Sequence, residues 1–514
     1  MTTHIPETHA ASHATVWGLF HERSRISPSA IALSGAEGEM TFGELDKRVL
    51  QAAKVLRARG ISCGDRIALL SENRFAYLEI VLAAACLSVT VAAQNWRLST
   101  DELRHCINLV DPSLVIASQR HLELFRSTGL EIPAMVIETD YEAAVSQASA
   151  LLDPPVVDPE DGLIILYTSG TTGMPKGALI SHRAEIARSC VYRMDLGIRA
   201  DDSFVAWAPL FHMGSADASL SCLMSGGTVH VVDGFNPRAI VDIMATSRIG
   251  WLILMPGAIE QIVDLLKAEK TRVHSVHVVG AMLDLVPLEL AAELTRLIGA
   301  PYVNSFGSTE TGLPPFTGST IAAGQVASRL SKRQSSLIEV RLVDSEGREV
   351  ADGDPGEAAV RGPTLFSGYW NAPDVNKKDF AGGWFHMGDM FRRNPDGTVD
   401  FVDRAKYLIK SGGENIYPAE IERLLLADPR VRDAAVVRRP DRRWGEIPVA
   451  FVAPVSSDLT TEQIESIFHN SLARYKHPRE VQLIDYDDLP RSTTGKILRH
   501  ELEALLQSDR ETIG

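Results

Sequence analysis

Residues 167–178 read YTSGTTGMPKGA and follow directly on the apolar stretch Leu163–Leu166. A loop wrapped round a polyphosphate needs glycines that let backbone N–H groups approach oxygen, hydroxyls that add donors, and a cation for the residual charge. All three are present here. The P-loop of NTPases meets the same demand with GxxxxGK and a Ser or Thr opening a helix. In this chain Lys176 falls six residues after Gly170 and three after Gly173, and glycine follows it. The Walker spacing fails. The stretch therefore reads as a nucleotide loop of another kind, against the plain alternative of a Ser/Thr/Gly surface loop with an incidental lysine.

Around this loop lies a chain of 514 residues, well past the roughly 250–300 at which a single core stops growing, so two or three compact units are expected. An apolar share of 45% and a charged share of 23% are those of a globular protein. The net charge of −15 would repel a nucleic-acid backbone and excludes a nucleic-acid partner, although a local basic pocket can still take a small polyanion. Five cysteines, Cys63, Cys86, Cys106, Cys190 and Cys222, form no CxxC pair and suit a reducing compartment. The N-terminal MTTHIPETHAASHATVWGLF lacks the basic start and apolar core of a signal peptide. The apolar run Ile80–Ala93 is too short for the ~20 residues of a membrane span and reads as a buried helix passing into a strand. The expectation is a cytoplasmic protein with no membrane span.

Residues 40–60 place Phe42, Leu45, Val49, Ala52, Val55 and Leu56 at helical spacing, with Gly60 as a stop. The segments Arg66–Leu70, Thr90–Ala93, Leu114–Ala117, Phe204–Ala206, Thr228–Val232, Trp251–Leu254 and Val276–Val279 read as strands alternating with helices such as Pro287–Leu297. That alternation predicts an α/β fold with parallel sheets. Near residue 338 the texture changes to β-rich runs (Ile338–Val343, Glu357–Arg361, Thr398–Val402) separated by turns, a smaller antiparallel unit. Beyond Arg404 mixed α+β patterning returns over about 110 residues.

The loop and a series of later motifs resemble, in order, those of the adenylate-forming superfamily: acyl- and aryl-CoA synthetases, nonribosomal peptide synthetase adenylation domains and firefly-type luciferases. The resemblance implies a large N-terminal domain (1–402) of two parallel-sheet α/β subdomains and a β-barrel-like subdomain, a hinge at 403–408, and a small mobile α+β lid at 409–514. It implies ATP-dependent activation of a carboxylic acid as acyl-AMP with release of pyrophosphate, Mg2+ as the metal, and transfer of the acyl group to coenzyme A. Two other outcomes stay open at this point: loading of a carrier-protein phosphopantetheine, and a non-catalytic ATP- or acyl-AMP-binding regulator. A homodimer is likewise left open.

The same resemblance assigns roles. Thr168, Ser169, Gly170, Thr171, Thr172, Gly173 and Lys176 hold the β- and γ-phosphates. NSFGSTETG (304–312) corresponds to the family's Tyr-Gly-x-Thr-Glu motif, so Asn304, Ser305, Phe306 and Gly307 line the nucleotide, Thr309 meets the α-phosphate and Glu310 holds the metal. Phe306 stands where tyrosine is usual and keeps only the stacking face. Asp389 in HMGDM accepts the ribose hydroxyls, and Arg404 in VDRAKY meets ribose or phosphate. His212 in PLFHMGS sits beside the substrate carboxylate. Met213, where amino-acid-activating relatives carry aspartate, argues against a free amino acid. Lys496 in PRSTTGKILRHE is the mobile lysine of adenylation. For the second half-reaction, Ser411, Gly412 and Gly413 give a path for pantetheine, while Trp444 and Gly445 contact CoA. Arg438, Arg439, Arg442 and Arg443 are candidates for its phosphates, with Tyr475–Lys476 a weaker one. Lys406 occupies the hinge, next to the atypical Tyr407, and GQVASRLSKRQSSL (324–337) replaces a Gly-Arg-Pro turn. Trp207, Met213, Ser215, Asp217, Trp251, Met255, Met282 and Leu313 fall near acyl-pocket segments, and their bulk favours an aromatic, alicyclic or medium-length acid.

Overall fold

Thr41 and Glu44 close a capping box at the start of the first long helix, Phe42–Ala58, which the apolar spacing predicted over residues 40–60. Gly60, at φ +84°, follows the end of that helix, a left-handed position that glycine takes without steric cost. The computed structural model describes residues 14–511 except 151–152, 169–173, 284–285, 412–413, 457, 469–471 and 492–495. The chain forms two compact units. One comprises the residues up to Glu339 with Arg361–Gly383; the other comprises Val340–Val360 with the residues from Trp384 onward.

The first unit holds two large sheets. In one, the strands run Ala134–Val136, Leu114–Ala117, Arg66–Leu70, Thr90–Ala93, Gly162–Thr168, Lys176–Ser181 from edge to edge, parallel except for the last pair. Helix Phe75–Cys86 is buried along its whole length, which is why its sequence is apolar on every side, and Thr90–Ala93 continues it as a buried strand. The other sheet has the central parallel strands Tyr302–Asn304, Ser275–Ala281, Arg248–Ile253, Ser203–Ala206, Val229–Val231 and Ile31–Gly35, with short antiparallel strands at both edges. A two-stranded ribbon, Phe306–Ser308 with Gly312–Phe316, follows from it.

The second unit contains the antiparallel strands anticipated after residue 338: Glu339–Val343, Pro355–Arg361, Phe385–Arg393 and Val399–Arg404. Its other sheet is built on the long hairpin Val431–Asp441 and Gly445–Pro454. Alternate residues of that hairpin face opposite ways. Val436, Ala450 and Val452 pack with helices Pro418–Leu426 and Thr461–Phe468, while Ala435, Val437, Val449 and Phe451 pack with Leu502 and Leu506 of the last helix, Arg499–Glu511. Among the described residues no helix is long and apolar enough to cross a membrane.

Candidate active site

In the first unit the nucleotide loop joins two antiparallel strands. Thr168 and Lys176 are directly paired at the end of the ladder, so the loop closes a hairpin rather than opening a helix. Ser169, Gly170, Thr171, Thr172 and Gly173 lie outside the described residues. Segment 367–370 adds to the free side of the second strand. Ser367 and Trp370 N–H groups donate to Leu179 and Gly177 carbonyls, and Leu179 N–H donates to Gly368 O.

That third segment brings Tyr369 to the hairpin. The Lys176 ammonium lies over the Tyr369 ring, 3.9 Å from its centroid, and 4.0 Å from Asp379 Oδ2. The Tyr369 hydroxyl donates to Glu310 Oε1 at 2.7 Å. Lys176 and Glu310 thus meet on one tyrosine, which is nearly buried. Asn376 fixes it further, accepting from Tyr369 N–H at 2.7 Å and donating to its carbonyl at 2.8 Å.

The turn carrying Thr309 and Glu310 is equally constrained. Gly307 faces the opposite strand so closely that a Cβ would stand 2.1 Å from the Gly312 carbonyl oxygen, which excludes any side chain. Thr311 Oγ1 accepts from Ser308 N–H, and Phe366 N–H donates to the Glu310 carbonyl. Arg188, fully buried, reaches the same turn. Its guanidinium donates to the carbonyls of Thr309 (3.1 Å) and Thr364 (3.0 Å) and to Asp217 Oδ2 (3.1 Å). Burial, first, and the neighbouring Asp217 push the Glu185 carboxyl well above the usual carboxylate range, which favours its neutral form. Asn304 accepts from Leu283 N–H and donates to Leu330 O, and with Ser305 and Phe306 it is buried at the base of the ribbon.

His212 precedes helix Met213–Ser225, and its carbonyl accepts from Ser215 and Ala216 N–H groups. The segment before it is held by Asn73, whose side-chain amide donates to Ala206, Ala208 and Val232 carbonyls and accepts from Leu210 N–H. His212 and Met213 are half-buried. Five of the residues near acyl-pocket segments are buried: Trp207, Ser215, Asp217, Trp251 and Leu313. Ser215 donates to Ala208 O, Asp217 is spent on Arg188, and Trp251 is buried; Met255 is exposed.

In the second unit Asp389 and Arg404 face each other on paired strands, with Arg404 Nε 3.1 Å from Asp389 Oδ1. Asp403, next to Arg404, is buried and accepts from Arg404 and Ala419 N–H groups, tying the 403–408 segment to helix Pro418–Leu426. Ser411 pairs with Gly445, whereas Gly412 and Gly413 lie outside the described residues. Trp444 is 37% exposed at the hairpin tip, between the guanidinium groups of Arg443 and Arg479. The basic cluster divides into paired and exposed members. Arg438 pairs with Glu503 and Glu446, Arg439 with Glu480, and Lys476 with Glu420, so these charges are neutralised within the fold. Arg442 and Arg443 are exposed. Lys496 is exposed, and the residues just before it, 492–495, lie outside the described ones.

Sequence reasoning missed Tyr369, Arg188, Asp217's true partner and Asp403. The SGYWN stretch at 367–371 was a usable signal for the first; the others depend on contacts far apart in the chain.

AMP-binding enzymes match residues 20–370, and their C-terminal domain matches residues 420–496. The chain is 32% identical to an indoleacetate–CoA ligase of Aromatoleum aromaticum over 494 residues, covering 94% of this chain and 96% of that one. It is also 32% identical to a feruloyl-CoA synthase of an Amycolatopsis species, covering 93% and 96%. The structure of O-succinylbenzoate coenzyme A synthetase from Bacillus subtilis in complex with AMP superimposes with a TM-score of 0.84 at 25% identity, covering 95% and 98%.

Proposed function

The chain belongs to the family of AMP-binding enzymes and is an ATP-dependent, AMP-forming acid–CoA ligase, and from that premise we propose which of its residues perform each half-reaction and on what acid. In the first half-reaction a carboxylate oxygen bonds to the α-phosphorus of ATP as the bond to pyrophosphate breaks. In the second the CoA sulfur bonds to the acyl carbon, AMP leaves and the thiol proton is lost to solvent. Both steps bring anions together, so the protein's contribution is positioning and neutralisation of charge.

Lys176 and the 169–173 loop hold the β- and γ-phosphates, Thr309 holds the α-phosphate, and Phe306 stacks on adenine above Asn304, Ser305 and Gly307. Asp389 accepts the ribose hydroxyls and Arg404 lies beside it. His212 stands at the incoming carboxylate. Lys496 escorts that carboxylate onto phosphorus, and residues 403–408 form the pivot between a first domain ending at 402 and the lid that follows. Ser411, with Gly412 and Gly413, opens the pantetheine path, and Trp444 with Gly445, Arg442 and Arg443 receives the nucleotide end of CoA.

Among the described residues no cluster of three or more metal-ligating side chains occurs. One partly exposed carboxylate, Glu310, fits Mg2+, which takes one or two protein carboxylates and completes its shell with phosphate oxygens and water. Mg2+ bound there would neutralise charge on the triphosphate.

The observation that carries this reading is the convergence of Lys176, Tyr369 and Glu310 on one side of the hairpin. For the acid, an aryl-substituted carboxylic acid is the best candidate. The relatives act on indoleacetate and ferulate, and Asp217, the acid nearest Met213 on its helix, is bound to Arg188 and offers no counter-ion to an ammonium group. We place the reaction in the cytoplasm, where ATP and CoA are supplied.

The deciding experiment is pyrophosphate exchange over a panel of arylacetic, cinnamic, fatty and amino acids, followed by CoA-dependent AMP release. Lys496→Ala should lower exchange about 10²–10³-fold, the cost of one preorganised donor. Undiminished exchange in that variant would refute the assignment, and no exchange with any aryl acid would refute the substrate class.

A further inference from the structure

Lys176 and Glu310 are of opposite charge, lie on neighbouring segments and are both partly exposed, yet they do not pair with each other. Tyr369 stands between them. Its ring takes the ammonium on one face at 3.9 Å, and its hydroxyl takes Glu310 Oε1 at 2.7 Å. A direct lysine–carboxylate bond would be the stronger contact for both groups in the absence of ligand. It would also consume the cation meant for the triphosphate and the anion meant for the metal. Among the described residues the one other anion near the ammonium, Asp379, is 4.0 Å away, too far for a hydrogen bond, so Lys176 is held by weak contacts that a phosphate can displace.

The tyrosine is itself held from several directions. Asn376 bonds both its N–H and its carbonyl, and its neighbours Gly368 and Trp370 are laddered to the hairpin strand. Phe366 packs edge-on against the ring, with centroids 4.9 Å apart, while its own N–H donates to the Glu310 carbonyl. The ladder and Asn376 thus fix the backbone that carries the ring, and Phe366 backs the ring itself, so the separation of the two charges is built into the local structure.

We propose that Tyr369 is a positioning residue that keeps Lys176 and Glu310 from neutralising each other, so that each meets MgATP with its charge available. The proposal rests on the assignment of Lys176 to the phosphates and Glu310 to the metal. It adds a distinct demand: removing the tyrosine must damage phosphate binding through Glu310.

The test is equilibrium binding by calorimetry, with ATP in EDTA, MgATP and AMP as probes. Tyr369→Leu lets the ammonium and carboxylate meet, and its affinity for metal-free ATP should fall about tenfold, as for the loss of one charge-assisted contact, with AMP affinity unchanged. Adding Glu310→Gln to that variant should restore metal-free ATP binding, because it releases Lys176; general damage to the fold would not be repaired by a second substitution. Tyr369→Phe, which keeps the ring, should bind metal-free ATP normally but require a higher Mg2+ concentration for MgATP binding. If the double variant binds metal-free ATP no better than Tyr369→Leu alone, the inference is overturned. Lys176→Met and Glu310→Gln in the parent protein separate the two ideas. If neither alters ATP or MgATP binding, the underlying assignment fails; if both do and the double variant shows no recovery, only the role of Tyr369 fails.

Discussion

Arg188 and Lys176 both reach the turn 308–311, Arg188 directly at the Thr309 carbonyl and Lys176 through Tyr369 to Glu310. They are built in opposite ways. Arg188 is fully buried, and its guanidinium is matched by two carbonyls and by Asp217. Lys176 is about a quarter exposed and held by an aromatic face and a distant carboxylate. A desolvated cation needs every donor matched, and once matched it has nothing left to offer a ligand. A cation in a weak, half-open setting loses little on leaving it. The first arrangement shapes the turn and the second serves the substrate.

The largest effect that could break this contrast is Asp217→Asn. It strips the buried guanidinium of its anion and should cost roughly 3–5 kcal/mol of stability, read from urea unfolding. Glu185→Gln is the sharper companion. Burial and Asp217 raise the Glu185 carboxyl and favour its neutral form, so the neutral isostere should cost less than about 1 kcal/mol. Equal losses from the two would mean that Glu185 carries the charge.

A second buried cluster, in the other unit, extends the comparison. Glu422 is largely buried, its side chain 12% exposed, and pairs with Arg499 at 2.6 Å, beside Asp403 of the 403–408 segment. Burial pushes its carboxyl from the ordinary 4.5 up to about 7, despite Arg499. A carboxyl raised in the folded state favours folding while protonated. That stability is fully present below about pH 4.5 and is lost as pH rises through about 7, a difference of about 3 kcal/mol. Urea midpoints measured across that window should therefore fall with rising pH in the parent and stay flatter in Glu422→Gln. A parent midpoint that rises instead would show that Arg499 outweighs burial.

At the open end of the contrast, Lys176→Met should leave stability within about 0.5 kcal/mol of the parent, as for an exposed group. Its affinity for ATP should fall about tenfold. A stability loss comparable to that of Asp217→Asn would erase the distinction between the two cations.

These differences explain what was legible in the sequence. The 167–178 loop was readable because close backbone approach to phosphate forces glycine, hydroxyl and lysine into a short run, whereas NSFGSTETG (304–312) was readable only through its resemblance to a known motif. The alternating strands and helices of the first unit, and the antiparallel runs after residue 338, were readable from periodicity alone. Arg188 was not. In HRAEIARSC it reads as a charge on an ordinary helix, and only Thr364, 176 residues on, and Asp217 reveal its burial. Tyr369 reads as one more core aromatic. In the basic run at 438–443 the acids that pair with Arg438 and Arg439 lie at Glu503 and Glu480, outside the local window, so that pairing was not legible either.

That last case gives the smallest predicted effect. The run alternates along a strand end: Arg438 and Arg439 still belong to the ladder and are paired with acids, while Arg442 and Arg443 occupy the turn and are exposed. Asp441 Oδ1 accepts from Arg443 and Trp444 N–H groups, so the turn presents the indole and the Arg443 guanidinium together, 4.9 Å apart. If CoA phosphates are met here, replacing Arg442 and Arg443 by alanine should raise KM for CoA about three- to tenfold, each exposed charge being worth up to about 1 kcal/mol. Pyrophosphate exchange, which needs no CoA, should be unaffected. Arg438→Ala should leave KM for CoA alone, since that guanidinium is already engaged by Glu503 and Glu446. Reversal of the two outcomes would mean that the paired arginines, not the exposed ones, face the cofactor, and that pairing in the fold does not predict idleness toward a ligand. The same result would weaken the reading of Arg188 as purely a shaper of its turn.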